Sequence, residues 1–233
     1  MNILRPSHER GHAKLDWLES FHSFSFGEYH DAQHMGWGPL RVINEDWIQP
    51  DMGFGTHGHR DMEILTYVLS GGVAHKDSIG TGSTLRPGGV QLMSAGSGIR
   101  HSEFNPDSDS TTHMLQIWIQ PKFTGTTPSY QDQFVSDDEK RGVLRAIVSP
   151  DGRDGSLTIK QDAVVFATLL DGSDSVTHAL APGRRGYVHI ARGSARVNGL
   201  DVAAGDAVKV VDEQAIDIDN AADAEILVFD LIA

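Results

Sequence analysis

Histidine and glutamate recur in two short clusters, His57-Gly58-His59 and His101-Ser102-Glu103, each with its chemically active side chains at positions i and i+2. In an extended strand such positions face the same way, so each cluster aims two metal-ligating groups in one direction. Two such pairs on facing strands offer three imidazoles and one carboxylate, a mononuclear metal site with positions left for exogenous ligands. Glycines lead into both clusters, Gly53 and Gly55 before the first and Gly96 and Gly98 before the second. They let a backbone turn tightly around a site. A second carboxylate, Glu63, shares the odd parity of His57 and His59, so spacing does not choose between Glu63 and Glu103. With 12 histidines in the chain, a coincidental His-x-His is common. The combination of two clusters carries the weight, and neither does so alone.

Donor chemistry narrows the ion. The chain contains no cysteine, which excludes a thiolate cage, a cysteine nucleophile and a disulfide framework. Three imidazoles and a carboxylate suit one divalent transition metal, Fe(II), Ni(II), Cu(II), Co(II) or Mn(II), with one or two positions open. Zinc closed at four ligands is the structural alternative. A rival motif, His8-Glu9-Arg10-Gly11-His12, fits the H-E-x-x-H zinc-protease pattern. That chemistry requires a helix, yet Pro6 precedes the motif, Gly11 lies inside it and no apolar stripe runs through it. We read a polar strand and loop there.

The elements that must position the clusters are strands. Residues 24–26 place Phe24 and Phe26 on one face, with His22 at the same parity as a buried, hydrogen-bonded histidine. Residues 40–48, 62–69, 73–77, 83–86, 90–94 and 114–119 follow at short spacing with glycine turns between them, which predicts an all-β barrel or sandwich. The run Ser136-Asp137-Asp138-Glu139-Lys140-Arg141 reads as a solvated linker, and the domain boundary is placed here, at 1–135 and 136–233. Strands resume at 143–148, 157–161, 164–170, 186–191, 207–211 and 225–231.

The second half reads as a worn copy of the first. Tyr67-Val68-Leu69-Ser70-Gly71 matches His189-Ile190-Ala191-Arg192-Gly193, and Leu85-Arg86-Pro87-Gly88 matches Val202-Ala203-Ala204-Gly205. Sliding that match backwards sets Ala179 against His57, Ala181 against His59 and Arg185 against Glu63. Such a repeat implies two like domains packed face to face, only the first of them chemically equipped.

An apolar content of 39% and a charged content of 22% are those of a globular protein and not a disordered one. A net charge of −13 argues against nucleic-acid binding, since Arg184-Arg185 is too small a basic patch to hold a phosphate backbone. The N-terminus lacks the run of about seven apolar residues of a signal peptide, and no run of about eighteen marks a membrane span. A soluble, cytoplasmic monomer is expected.

Gly53-x3-His57-x-His59-x3-Glu63 resembles the first cupin motif, and Gly98-x2-His101-x3-Asn105 the end of the second. More narrowly, His57 to Glu63, the run Gln91 to Glu103 and the opening Trp17-Leu18-x2-Phe21-His22-Ser23-Phe24-Ser25-Phe26 resemble the pirin family, a bicupin group. The similarity runs through essentially the whole chain and is nearest to bacterial pirin-like quercetin 2,3-dioxygenases. The resemblance implies two cupin jelly-roll barrels, with His57, His59, His101 and Glu103 holding a metal, Fe(II) first. It implies a flavonol such as quercetin and O2 as substrates, with ring cleavage and release of carbon monoxide. Glu103 is then the expected base, Glu63 its alternative, and Phe54, Met62 and Met93 the walls of the substrate pocket. The family also contains iron-binding regulatory proteins, so a metal-dependent protein-interaction role is the competing expectation.

Overall fold

The computed structural model describes residues 1–233, almost entirely as β-structure. The chain divides into two compact units, one of residues 11–134 with 159–161, the other of residues 1–10, 135–158 and 162–233.

The first unit is a jelly roll of two sheets. Its seven-stranded sheet runs Ser129–Phe134, Gly89–Ser94, Glu63–Ser70, Thr112–Ile119, Leu40–Ile48, Leu18–His22 and Gly11–Lys14. Its four-stranded sheet runs Gly53–His59, Ile99–Phe104, Val73–Asp77 and Gly82–Leu85. The central strands are rich in Ile, Leu, Val, Thr and Tyr and are buried along nearly their whole length, as in Glu63–Ser70 and Gly89–Ser94. Side chains of this kind fit a pleated surface covered on both faces. The short sheet carries the histidines, and the long one carries the polar residues that meet them.

The second unit is a nine-stranded sheet whose interior is apolar. Val188, Ile190, Val208, Val210, Ile216, Ile218, Ile226 and Val228 form one buried cluster. Its first strand comes from the chain start: Asn2–Arg5 pairs antiparallel with Ala207–Val211. Residues 1–10 therefore group with this unit and not with the segment that follows them, which the expected division at 1–135 and 136–233 did not include. The run expected as a linker is instead a capped turn of helix, Asp137–Lys140, in which Lys140 is buried against Glu225 at 3.4 Å. No helix is long and apolar enough to cross a membrane.

The H-E-x-x-H segment forms a 3-10 turn, Ser7–Glu9, and then a strand, Gly11–Lys14. His12 bonds Glu19 at 3.0 Å and stacks on Phe21, so His8 and His12 do not stand one helical turn apart.

Candidate metal centre

The strand Gly53–His59 pairs antiparallel with Ile99–Phe104, setting His57 directly opposite His101. Period 2 adds His59 on the same face. One ligand atom from each of the three histidines lies within 4.8 Å of the other two. The register slips between His101 and Glu103, where a bulge bends the strand. Close approach of the two strands at this point requires Gly53, because a Cβ there would meet the Glu103 carbonyl oxygen at 2.2 Å. On its other edge the strand pairs with Val73–Asp77, which sets Glu103 opposite His75 and His101 opposite Asp77.

Glu103 is buried, and polar residues from the long sheet converge on it. Gln91 Nε2 donates to Oε1 at 2.7 Å and Gln116 Nε2 to Oε2 at 2.6 Å, while Thr66 Oγ1 stands 3.1 Å from Oε1. The Tyr130 hydroxyl donates to Gln91 Oε1 at 3.1 Å, which fixes that amide with its NH2 toward the carboxylate. A carboxylate offers about four lone-pair sites, so three donors leave room for one more partner. Burial pushes the Glu103 carboxyl above its ordinary range, and His75 and the donors oppose that shift.

The imidazoles are prepared as ligands. Burial first and the neighbouring His57 second lower the His59 pKa to about 4. Burial, then His57, His59 and His75, lower that of His101 to about 3. Both rings are therefore neutral near pH 7, the form in which a histidine binds a metal.

The hydrogens on these rings can be counted. His57 Nδ1 lies 2.8 Å from the Gly55 carbonyl, which only accepts, so in the neutral ring Nδ1 carries the hydrogen and Nε2 is bare. His75 Nε2 lies 3.1 Å from Asp77 Oδ2, so the same reasoning leaves His75 Nδ1 bare. His101 stands between them, its Nε2 3.1 Å from His57 Nε2 and its Nδ1 3.5 Å from His75 Nδ1. A neutral His101 has one N–H for two bare nitrogens. Whichever contact it fills, the other brings two lone pairs together, and a cation is what such a pair accommodates. Donor groups flank both sides of His101, His57 and His59 forming one group with it and His75 and Glu103 another. His57 and His59 line the cavity and His75 does not, so an ion entering from the cavity meets Nε2 and the hydrogen then belongs on Nδ1.

A cavity of about 580 Å³ opens onto His57, His59 and Glu103. That lies within the roughly 300–1,000 Å³ of small-molecule sites. Trp17, Phe26, Tyr29, Phe54 and Trp118 supply aromatic walls, and Ser20, His22, Asn44, Asp46 and Gln116 polar ones. The His22 Nε2 and Ser20 Oγ are 2.9 Å apart, and Ser20 in turn donates to Asp46. Burial, outweighing the Ser20 hydrogen bond, raises the Asp46 carboxyl to about 7.

The structure thus brings His57, His59 and His101 together, groups Glu103 with His101 and His75, and sets His57, His59, Glu103 and Phe54 in the cavity wall. Met62 and Met93 are elsewhere: both pack in an apolar cluster with Ile64, Ala95 and Ile99. Met93 shares a strand face with Gln91, two residues before it, but lies further along the strand, where Ile64 and Ile99 cover it and separate it from the cavity. Glu63 is buried apart from the histidine groups, accepting from Ser94 Oγ at 2.7 Å and the Lys160 backbone N–H at 3.3 Å. His75, Asp77, Gln91, Gln116 and Asp46 were not foreseen. His75-x-Asp77 carries the same i, i+2 signal as the two clusters, and Gln91, Gln116 and Asp46 interrupt otherwise apolar strands.

The family model described as "Pirin" matches residues 4–119, and that of the "Quercetinase C-terminal cupin domain" matches residues 146–231. A quercetin 2,3-dioxygenase of Escherichia coli strain K12 is 47% identical over 232 residues, 99% of each chain. A pirin-like protein of Caulobacter vibrioides is 40% identical over 227 residues, 97% of each. The crystal structure of the Escherichia coli bacterial pirin YhhW in complex with nickel(II) superposes with a TM-score of 0.95 at 44% identity, covering 100% of this chain and 99% of that one.

Proposed function

The chain belongs to the pirin family, and from that premise we propose that it is a metal-dependent dioxygenase that opens the heterocyclic ring of flavonols such as quercetin. The observation that carries this reading is the convergence of one ring nitrogen from each of three histidines beside an aromatic-walled cavity that Glu103 also lines. His57, His59, His101 and Glu103 are the proposed ligands. Bound there, a divalent transition ion lowers the pKa of the flavonol 3-hydroxyl and couples the electrons of the substrate to O2. The donor set suits Fe(II), the ion implied by the family resemblance, and equally Ni(II), the ion in the YhhW complex.

The chain's own groups bind, orient and move the proton. Glu103 takes the 3-hydroxyl proton at a lone pair that Thr66 frees by turning its one hydrogen from Oε1 to Gln116 Oε1, 3.0 Å away, beside the lone pair directed at the metal. Burial, which disfavours its charged form, strengthens it as a base. Phe54, Trp17 and Trp118 cover the flat faces of the substrate and keep water from the reacting end. In the overall change the bonds from C3 to C2 and C4 break, both oxygen atoms of O2 enter the ring-opened ester, and C3 leaves as carbon monoxide. The test is incubation of metal-loaded protein with quercetin in the presence and absence of O2. The expected result is bleaching of the flavonol absorbance with carbon monoxide release only when O2 is present. No oxygen-dependent bleaching with any of the Fe(II)-, Ni(II)-, Cu(II)-, Co(II)- or Mn(II)-loaded forms would contradict it.

A further inference from the structure

Behind His101, on the side away from the cavity, lie two buried residues that substrate does not touch. His75 and Asp77 are almost fully covered, and Asp77 Oδ2 holds His75 Nε2 at 3.1 Å. The His75 ring stacks on Tyr130 with centroids 4.7 Å apart, which fixes its plane. Its remaining nitrogen, Nδ1, points at His101 Nδ1. Asp77 is itself immobilised, because its other oxygen accepts the backbone N–H groups of Ile79 at 3.0 Å and Thr81 at 2.9 Å.

We propose that Asp77 and His75 form a positioning relay that holds His101 in its Nδ1–H tautomer and strengthens Nε2 as a metal donor. With an ion on His101 Nε2 the hydrogens run in one order. Asp77 accepts from His75 Nε2–H, His75 Nδ1 accepts from His101 Nδ1–H, and His101 Nε2 is left bare toward the cavity. A carboxylate acting through an imidazole hydrogen bond makes the ligating ring more basic and fixes its orientation. Here the carboxylate acts through one imidazole on a second. His57 has only the Gly55 carbonyl behind it, so the two facing ligands are supported unequally. The relay rests on the metal centre proposed above.

Asp77→Asn isolates the effect. The amide oxygen can still accept the Ile79 and Thr81 N–H groups, which leaves the NH2 facing His75 Nε2. That donor forces the hydrogen of His75 onto Nδ1, where it collides with His101 Nδ1–H. His75→Phe is a second route, since it keeps an aromatic face against Tyr130 and removes the acceptor. Long-range proton–nitrogen NMR on Zn(II)-loaded wild-type protein reads the tautomers directly: His75 is expected with a bare Nδ1, and His101 with a protonated one. Both variants are expected to bind Ni(II) about 10- to 100-fold more weakly. In the Fe-loaded protein both are expected to raise the Fe(III)/Fe(II) potential, because a poorer donor favours the lower oxidation state. A protonated His75 Nδ1 in the Zn(II)-loaded protein, or variants that fold with Ni(II) affinity and iron potential unchanged, would overturn the relay. Full Ni(II) binding by His57→Ala would instead overturn the metal centre itself, and the relay with it.

Discussion

In the first barrel, the in-register pair facing the interior is His57 opposite His101. In the second barrel, the pair of strands at the same place in the topology is Val176–Ala179 and the opening residues of Ala215–Ile232, and there the inward pairs are His178 opposite Ile216 and Val176 opposite Ile218. Ile216 and Ile218 are buried in the apolar cluster, with Val176 packed against it. His178 turns to Asp230, which it meets at 2.8 Å and which Arg184 also holds. Two barrels of one design therefore close their interiors differently, one with a continuous apolar core and one with a cluster of histidines and buried polar residues. The fold does not need the histidines, so their convergence answers to chemistry. The contrast matches the usual finding that functional sites are maintained against the grain of stability.

Making the first barrel resemble the second is the strongest challenge to this contrast. His57→Val combined with His101→Ile is expected to abolish metal binding, measured as ions per chain, and with it flavonol cleavage. Its metal-free form is expected to be as stable as the parent or more so, by about 1–2 kcal/mol in denaturant unfolding, because apolar packing replaces opposed lone pairs. A variant that still loads metal would break the comparison.

The converse change belongs in the second barrel. Ile216→Ala, within the apolar cluster, is expected to cost roughly 2–5 kcal/mol of stability while leaving the Ni(II) affinity of the first barrel unchanged. Loss of metal affinity in that variant would tie the two interiors together.

Asp46 sharpens the contrast from inside the first barrel. Its folded-state pKa, about 7, lies above the ordinary 3.8, so the folded protein binds the proton more tightly than the unfolded chain does. The stability this confers is fully present below pH ~4 and is lost as pH rises to about 7. Asp46→Asn removes the ionisation and keeps an acceptor for Ser20. It is expected to gain stability relative to the parent above pH 7, by no more than about 4 kcal/mol, and to gain none below pH ~4. Parallel pH–stability curves for the two proteins would contradict this assignment.

The smallest effect separates cavity wall from core. Met93→Leu is expected to cost less than about 1.5 kcal/mol and to leave the KM for quercetin unchanged, whereas Phe54→Ala raises that KM.

The two histidine clusters were legible in the sequence because a strand's period of two is short-range information. What stayed hidden depends on contacts distant in the chain. Asn2–Arg5 pairs with residues some two hundred positions away, and nothing in its own four residues names that partner. Lys140 looked solvated within its charge run because Glu225, which holds it, lies 85 positions further on. The backward slide that set Ala179 against His57 fails for a local reason. His57 lies six positions before Glu63, but His178 lies seven before Arg185. One extra residue in the connection turns every following side chain to the other face, and Ala179 is exposed in consequence. The choice between Glu63 and Glu103, open on parity alone, becomes a question of surroundings. Glu63 stands apart with Ser94, while Glu103 lies beside His75 and His101 and lines the cavity.

The most direct test is an anomalous-diffraction map from crystals of the metal-loaded protein, collected at the absorption edge of the bound ion. The expected result is one peak per chain, within bonding distance of His57, His59, His101 and Glu103, and none in the second barrel. A peak on the His75 side of His101, or in the second barrel, or at a position that excludes Glu103, would contradict it.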